Sequence, residues 1–430
     1  MPTPVADVAH LLRRAEFGGS TARINQLAAL DRTALVDKVL DTTGQPVDTY
    51  PAGIGNGTSQ WQQGEVLRDW WLTRMITTPT PIVEKMTLFW HGHFVTSQDK
   101  VQSADFMFRQ IKFLRQYGMG GLKALTQGVA IQPAMLTYLD NDGNAKGYPN
   151  INWARELMEL FTIGVGNYTE ADIKASARAW TGHWIDHGWN VYKFNFYQHD
   201  FTNKTFFGVT KPWDGPEIID FLLTDPAPRL NAAKLIVRKM WTFFVYENPS
   251  DALVTALANQ FIAGGLNIKL LLRAIFLHPE FWGPAARSAL VRSPVEYVVS
   301  LHRRTGLTIA DTNPQWYLQN MGQDLLYPPD VSGWKANGYW ISTSTMSARA
   351  EFASHLANVL NSKGKLAGWP IAWTYTVIPM VLEMAGIPDA TTNTRNVLIN
   401  YLNAQKPLNT WPVRPGLATL AFLSPECQVA

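Results

Sequence analysis

The chain has 430 residues, 46% hydrophobic and 17% charged, which supports a sizeable buried core and excludes a disordered polyelectrolyte. Its 37 basic and 34 acidic residues leave a formal charge of +3, so there is no electrostatic footprint for nucleic acid or an anionic lipid surface. Cys427 is the only cysteine, which excludes intrachain disulfides and cysteine-cluster metal sites, and no apolar run approaches the roughly 18–20 residues that cross a bilayer.

Apolar residues recur at helical spacing over 5–15, 20–40, 58–76, 82–94, 103–116, 150–163, 169–181, 227–245, 251–263, 292–304, 345–361 and 393–404. Ser293-Pro294-Val295-Glu296 reads as an N-cap, a proline at the first helical position and a glutamate placed for a capping box; Ser424-Pro425-Glu426 has the same opening. Between His183 and Trp213 the pattern changes to alternation, with Val191, Lys193 and Asn195 set against Tyr192, Phe194 and Phe196. That period of two predicts one or two short strands, with a hairpin turn at Asp186-His187-Gly188. The expected architecture is mainly α: one large multi-helix domain over 1–430, carrying a small β-hairpin insertion around 183–213. Residues 41–60, 140–150 and 327–344 are the least regular. A short echo of Ala274–Phe281 in Leu420–Cys427 is most simply a helix stop and restart used twice.

The segment Asn152-Trp153-Ala154-Arg155-Glu156-Leu157-Met158-Glu159 concentrates polar chemistry. At about 100° per residue, Asn152, Arg155, Glu156 and Glu159 form a narrow stripe on an otherwise apolar helix, so the helix is expected to be buried with its stripe lining a cleft or an interior network. Two carboxylates beside an arginine supply an acid and a base, or ligands for a hard cation; the plain alternative is an Arg155–Glu159 ion pair. In Glu84–Phe94, Glu84 and His91 share a helical face, while His91 and His93 reach one metal only if Gly92 ends the helix. Asp140 closes a helix at Tyr138-Leu139-Asp140-Asn141, and His199, Asp200 and Lys204 follow the strand region; Asx turns account for both without invoking function. Trp334 lies in the stiff loop Pro328–Trp334 and, among 17 tryptophans, offers a stacking face for a sugar ring or a place in the core. No phosphate-binding loop, metalloprotease helix or serine-hydrolase elbow is present in the sequence.

Taken in order, several segments resemble the bacterial DUF 1800 family, a domain of unknown function. They are His10-Leu11-Leu12-Arg13-Arg14-Ala15, Phe89–Phe94, Pro133-Ala134-Met135-Leu136 leading to Asp140, Ala154–Phe161, and Ala179-Trp180-Thr181-Gly182. The series continues with His199-Asp200, Lys204-Thr205, Ser293–Glu296, Pro328–Trp334 and Ser424-Pro425-Glu426. Ile151 and Gln132 stand where the family pattern usually carries acidic residues, Glu16 where it has glycine and Cys427 where it has an aromatic. The resemblance implies an envelope or extracellular glycan setting, and association with a sulfatase-like DUF 1501 protein.

The leading expectation is a hydrolase acting on a glycan or related polymer. Glu156, Glu159, His91, Arg155 and Asp140 would be its catalytic residues, and Asn152, Trp334, His199, Asp200 and Lys204 would contact substrate. One alternative is a non-enzymatic partner or export passenger of the sulfatase-like protein. Another is a metal- or haem-dependent oxidoreductase using His91 or His93, and a divalent metal held by His91, His93 and Glu84 is the expected cofactor if there is one. Met1–Glu16 lacks the order of a signal peptide, so cytosolic residence is expected, or export bound to a partner or after removal of a leader.

Overall fold

The computed structural model describes residues 1–55, 58–371, 374–405 and 413–430. The protein is mainly α-helical, and among the described residues its β structure is two small two-stranded antiparallel hairpins, both within 183–213. His183–Asp186 pairs with Val191–Phe194, and Lys204–Phe206 pairs with Val209–Lys211. The first turn lies over 187–190, just past the predicted position, because Asn190 takes up the left-handed conformation at φ 53°. No helix among the described residues is long and apolar enough to cross a membrane.

Most predicted helices form within a residue or two of their expected bounds, including Val5–Ala15, Pro226–Phe244 and Asp251–Ala263. The stretch 20–40 divides into Thr21–Ala28 and Arg32–Val39, since the Asp31 side chain accepts from Ala34 N and starts a new helix. The Ser293–Glu296 capping box is complete. At Ser424 the hydroxyl instead donates to Ala421 O, and Pro425–Gln428 is a single turn without a side-chain cap. The echoed segments are both places where a helix stops and restarts at a proline. Of the irregular stretch 41–60, residues 56–57 lie outside the described residues.

Two apolar clusters form the core. One gathers Val8, Trp90, Trp153, Phe161, Trp180 and Trp241; the other gathers Trp71, Met107, Tyr297, Phe352 and Leu417. Pro81–His93 runs between them with every residue but Gly92 buried, as expected of a helix apolar on nearly all sides. Tyr138 packs against both clusters, which places the end of Pro133–Tyr138 at their common edge.

Candidate active site on a π-turn rim

The segment that begins at Asn152 is α-helical only to Glu156, then widens into one π-helical turn over Leu157–Phe161. π-turns are rare and concentrate at functional sites. Asn150 Oδ1 accepts from Asn152 N at 2.8 Å and opens the helix, while Thr162 Oγ1 donates to Leu157 O at 2.5 Å and helps close the wide turn. Trp153, Ala154, Leu157, Met158 and Phe161 point inward and are fully buried. The polar stripe therefore looks outward: Asn152 is exposed and Arg155, Glu156 and Glu159 are half-buried, which departs from the interior-network alternative and leaves the cleft alternative standing.

Each stripe residue meets a different environment. Asn152 Nδ2 donates to Asp140 Oδ2 at 3.0 Å, and Lys100 Nζ donates to the same oxygen at 2.7 Å. Asp140 itself stands at φ 55°, a left-handed position that favours Asp or Asn among residues with a Cβ. Arg155 does not pair with Glu159; it reaches Glu170 at 3.2 Å across a largely exposed surface. Glu159 accepts from the Tyr168 hydroxyl at 2.8 Å. Glu156 makes no hydrogen bond or ion pair among the described residues, and burial followed by the like charge of Glu159 pushes its carboxyl above the usual range, against the pull of Arg155. Tyr138 is raised by burial and by the negative charges of Asp330 and Glu156, so the Pro328–Trp334 loop brings Asp330 to the same rim.

The histidines of Pro81–His93 lie behind this rim. The helix continues through Gly92, so His91 and His93 diverge and their joint chelation of one ion, which required a break there, does not arise. His91 is enclosed by Trp71 and Trp334, with ring centroids 5.3 and 5.4 Å away, and burial lowers it to about 4, leaving it neutral. His93 donates from Nε2 to Phe161 O at 3.1 Å and accepts at Nδ1 from Lys239 Nζ at 3.1 Å, which commits both ring nitrogens. Lys239 also donates to Leu160 O at 2.9 Å; together with His93 it satisfies the last carbonyls of the π-turn. Burial lowers the Lys239 ammonium to about 8. Glu84 sits in a wholly buried network with Arg115 at 2.7 Å and the Trp71 ring N–H at 3.1 Å.

A cavity of about 400 Å³ opens beside this helix, lined among others by Phe89, Gly92, His93, Lys239, Trp334 and Trp340. Its wall is mostly apolar, as small-molecule pockets are. Gly333, at φ 82°, lets the loop lie on the helix, since a Cβ there would stand 2.6 Å from Gly92 O.

The expected substrate residues His199, Asp200 and Lys204 lie apart from the stripe, among the hairpins. Arg178 Nε donates to Asp200 at 2.7 Å; although burial opposes the charge, Arg178 and Thr202 hold this carboxylate at about 2. Lys204 is buried, its ammonium donating to the carbonyls of Trp213, at 2.8 Å, and Asp200. Both pin the hairpin loops in place. Asn141 Nδ2 donates to His183 O at 3.2 Å and ties the Asp140 loop to the first hairpin. Lys100, Tyr168 and Lys239 escaped the sequence reading because each is an ordinary polar residue inside its own local pattern, and Asp330 was read only as part of the Pro328–Trp334 loop. His183 could have been found as the inward residue of the alternating strand.

The family described as a protein of unknown function, DUF1800, matches residues 10–429 of the chain. No curated protein and no solved structure matches it.

Proposed function

Since the chain belongs to the DUF1800 family, whose description assigns no reaction, we propose from the site itself that it is a hydrolase of a glycan or related polymer. Glu156 is the general acid and Glu159 the base. The assignment rests on Glu156: it is the rim carboxyl without a protein partner, and burial and Glu159 both favour its protonated form. Its proton passes to the leaving oxygen as the bond to the sugar carbon breaks. Glu159 Oε2 is engaged by Tyr168, and its other oxygen takes the proton of the attacking water. Lys100, Asp140 and Asn152 offer donors and an acceptor for sugar hydroxyls beside it. His91 is left to pack behind Trp334.

A panel of soluble polysaccharides and peptidoglycan, assayed for new reducing ends, tests the proposal. We expect release from at least one polymer, reduced about 100-fold or more in E156Q, the scale of a lost proton-transfer group, with a melting temperature no lower than that of wild type. Equal release by wild type and E156Q rules out Glu156 as the acid.

A different observation favours a second role. Tyr148, Trp189, Phe196 and Tyr197 are 90, 80, 63 and 82% exposed around the hairpins, an apolar surface suited to a protein partner. Docking of the sulfatase-like protein there would leave E156Q binding intact and abolish it in a W189A/Y197A double variant. Retained binding in that variant removes this role.

A further inference from the structure

The first hairpin, the loop behind it and the start of Gly215–Thr224 converge on three side chains. His183 stands at the inward position of its strand, His199 follows the second strand, and Asp214 N-caps the helix. Their ligand atoms lie within 4.8 Å of one another, and His183 Nε2 is already 3.0 Å from Asp214 Oδ1. From this geometry we propose that His183, His199 and Asp214 form a binding site for a first-row divalent cation, with Zn²⁺ the natural probe.

Both imidazoles have the outer hydrogen bonds that metal-ligating histidines use. His199 Nδ1 lies 2.7 Å from Thr181 O, which fixes the proton on Nδ1 and leaves Nε2 as its free nitrogen. His183 Nδ1 lies 2.9 Å from the Tyr192 hydroxyl. Without a cation, Nε2–H of His183 donates to Asp214 and Nδ1 accepts from Tyr192. When Nε2 binds a cation the proton moves to Nδ1 and the Tyr192 oxygen becomes the acceptor, with no partner lost. Tetrahedral donors at about 2.0–2.2 Å from Zn²⁺ stand about 3.5 Å apart, so closing the triad asks for a shift on the order of 1 Å.

The surroundings suit a cation with an open position. His183 and His199 are buried, whereas the Asp214 side chain keeps 42% exposure, so solvent reaches the site from one side. Phe194 and Phe201 flank the His199 ring at 5.2 and 4.5 Å and shield it elsewhere. The Lys204 ammonium, whose charge reaches His199, is held by two main-chain carbonyls and acts alongside the charges of Asp200 and Glu217. Two imidazoles and a carboxylate with an open side are the donor set of catalytic zinc and non-haem iron sites. Gly182 makes the convergence possible: at φ 80° its Cβ would stand 2.6 Å from Asn195 O and 3.1 Å from His199 N.

Calorimetric titration of the chelator-treated full chain with ZnCl₂ tests the site, alongside H183Q, H199Q and D214N. We expect one Zn²⁺ per chain, with each substitution weakening binding at least 10-fold, and Co²⁺ giving the visible absorption of a tetrahedral ion. Should a variant fail to fold, histidine NMR of the wild type reads the site directly, through zinc-induced shifts at His183 and His199. No uptake overturns the proposal. So does uptake that survives H199Q and D214N, or zinc-induced shifts confined to other histidines.

Discussion

The Tyr168 hydroxyl donates to Glu159 at 2.8 Å, and that one bond separates the two carboxylates of the rim. Glu159 has a hydrogen-bond donor, while Glu156, three residues earlier, has none and is pushed upward by burial and by Glu159. Two like groups in unlike surroundings are the arrangement that acid–base chemistry requires.

The same asymmetry has a stability signature. A carboxyl whose folded value is raised stabilises the protein below the unfolded value, 4.5, and that contribution is lost as pH rises through the folded value. Wild type should therefore lose ground to E156Q as pH climbs from about 4 to 7. We expect melting temperatures within about 2 °C at the low end and a gap favouring the variant at the high end. A variant that melts far below wild type at pH 7 would make Glu156 a scaffold residue.

Lys239 offers an independent chemical handle. With its ammonium lowered to about 8, roughly half is free amine at pH 8, against well under 1% of an ordinary exposed lysine. Because Lys239 lines the cavity, brief cyanate treatment at pH 8 followed by peptide mass spectrometry should find it modified at least 10-fold faster than the exposed Lys269. The preference should shrink at pH 9.5, where Lys239 is already almost all free amine and an exposed lysine has begun to lose its proton. Equal modification at pH 8 would show that burial has not depressed it.

Much of the fold was legible because the helices are amphipathic or open on a readable cap, as at Ser293, whereas the Asp31 cap that divides 20–40 went unread. The insertion announced itself through the alternation around Tyr192 and Phe194. What escaped was set by long-range packing. A uniform 100° step gave Glu156 and Glu159 one narrow face, but the π-turn held by Thr162, His93 and Lys239 changes the step after Glu156 and so shifts Glu159 relative to the residues before it. Arg155 is drawn away by Glu170, 15 positions on, a partner no local rule selects. His91 and Glu84 do share the buried helix, but Trp71, Arg115 and Trp334, from three other segments, decide what each can do.

Gly182 carries a prediction of its own. Alanine there must hold φ near 80° and push against Asn195 O, so we expect a loss of about 2 kcal/mol or more in denaturant unfolding. The same change should weaken zinc binding, since it displaces the loop that carries His199. Unfolding and zinc affinity both at wild-type level would show that the hairpin tolerates a side chain at this point.

The central claim is that burial and Glu159 raise the Glu156 carboxyl, and carboxyl-carbon NMR of ¹³C-labelled glutamate, with E156Q used to assign the resonance, measures it without any substrate. We predict a Glu156 midpoint above 4.5, moving down in E159Q as the like charge is removed. A midpoint at or below 4.5 in the wild type, unmoved by E159Q, would contradict the account.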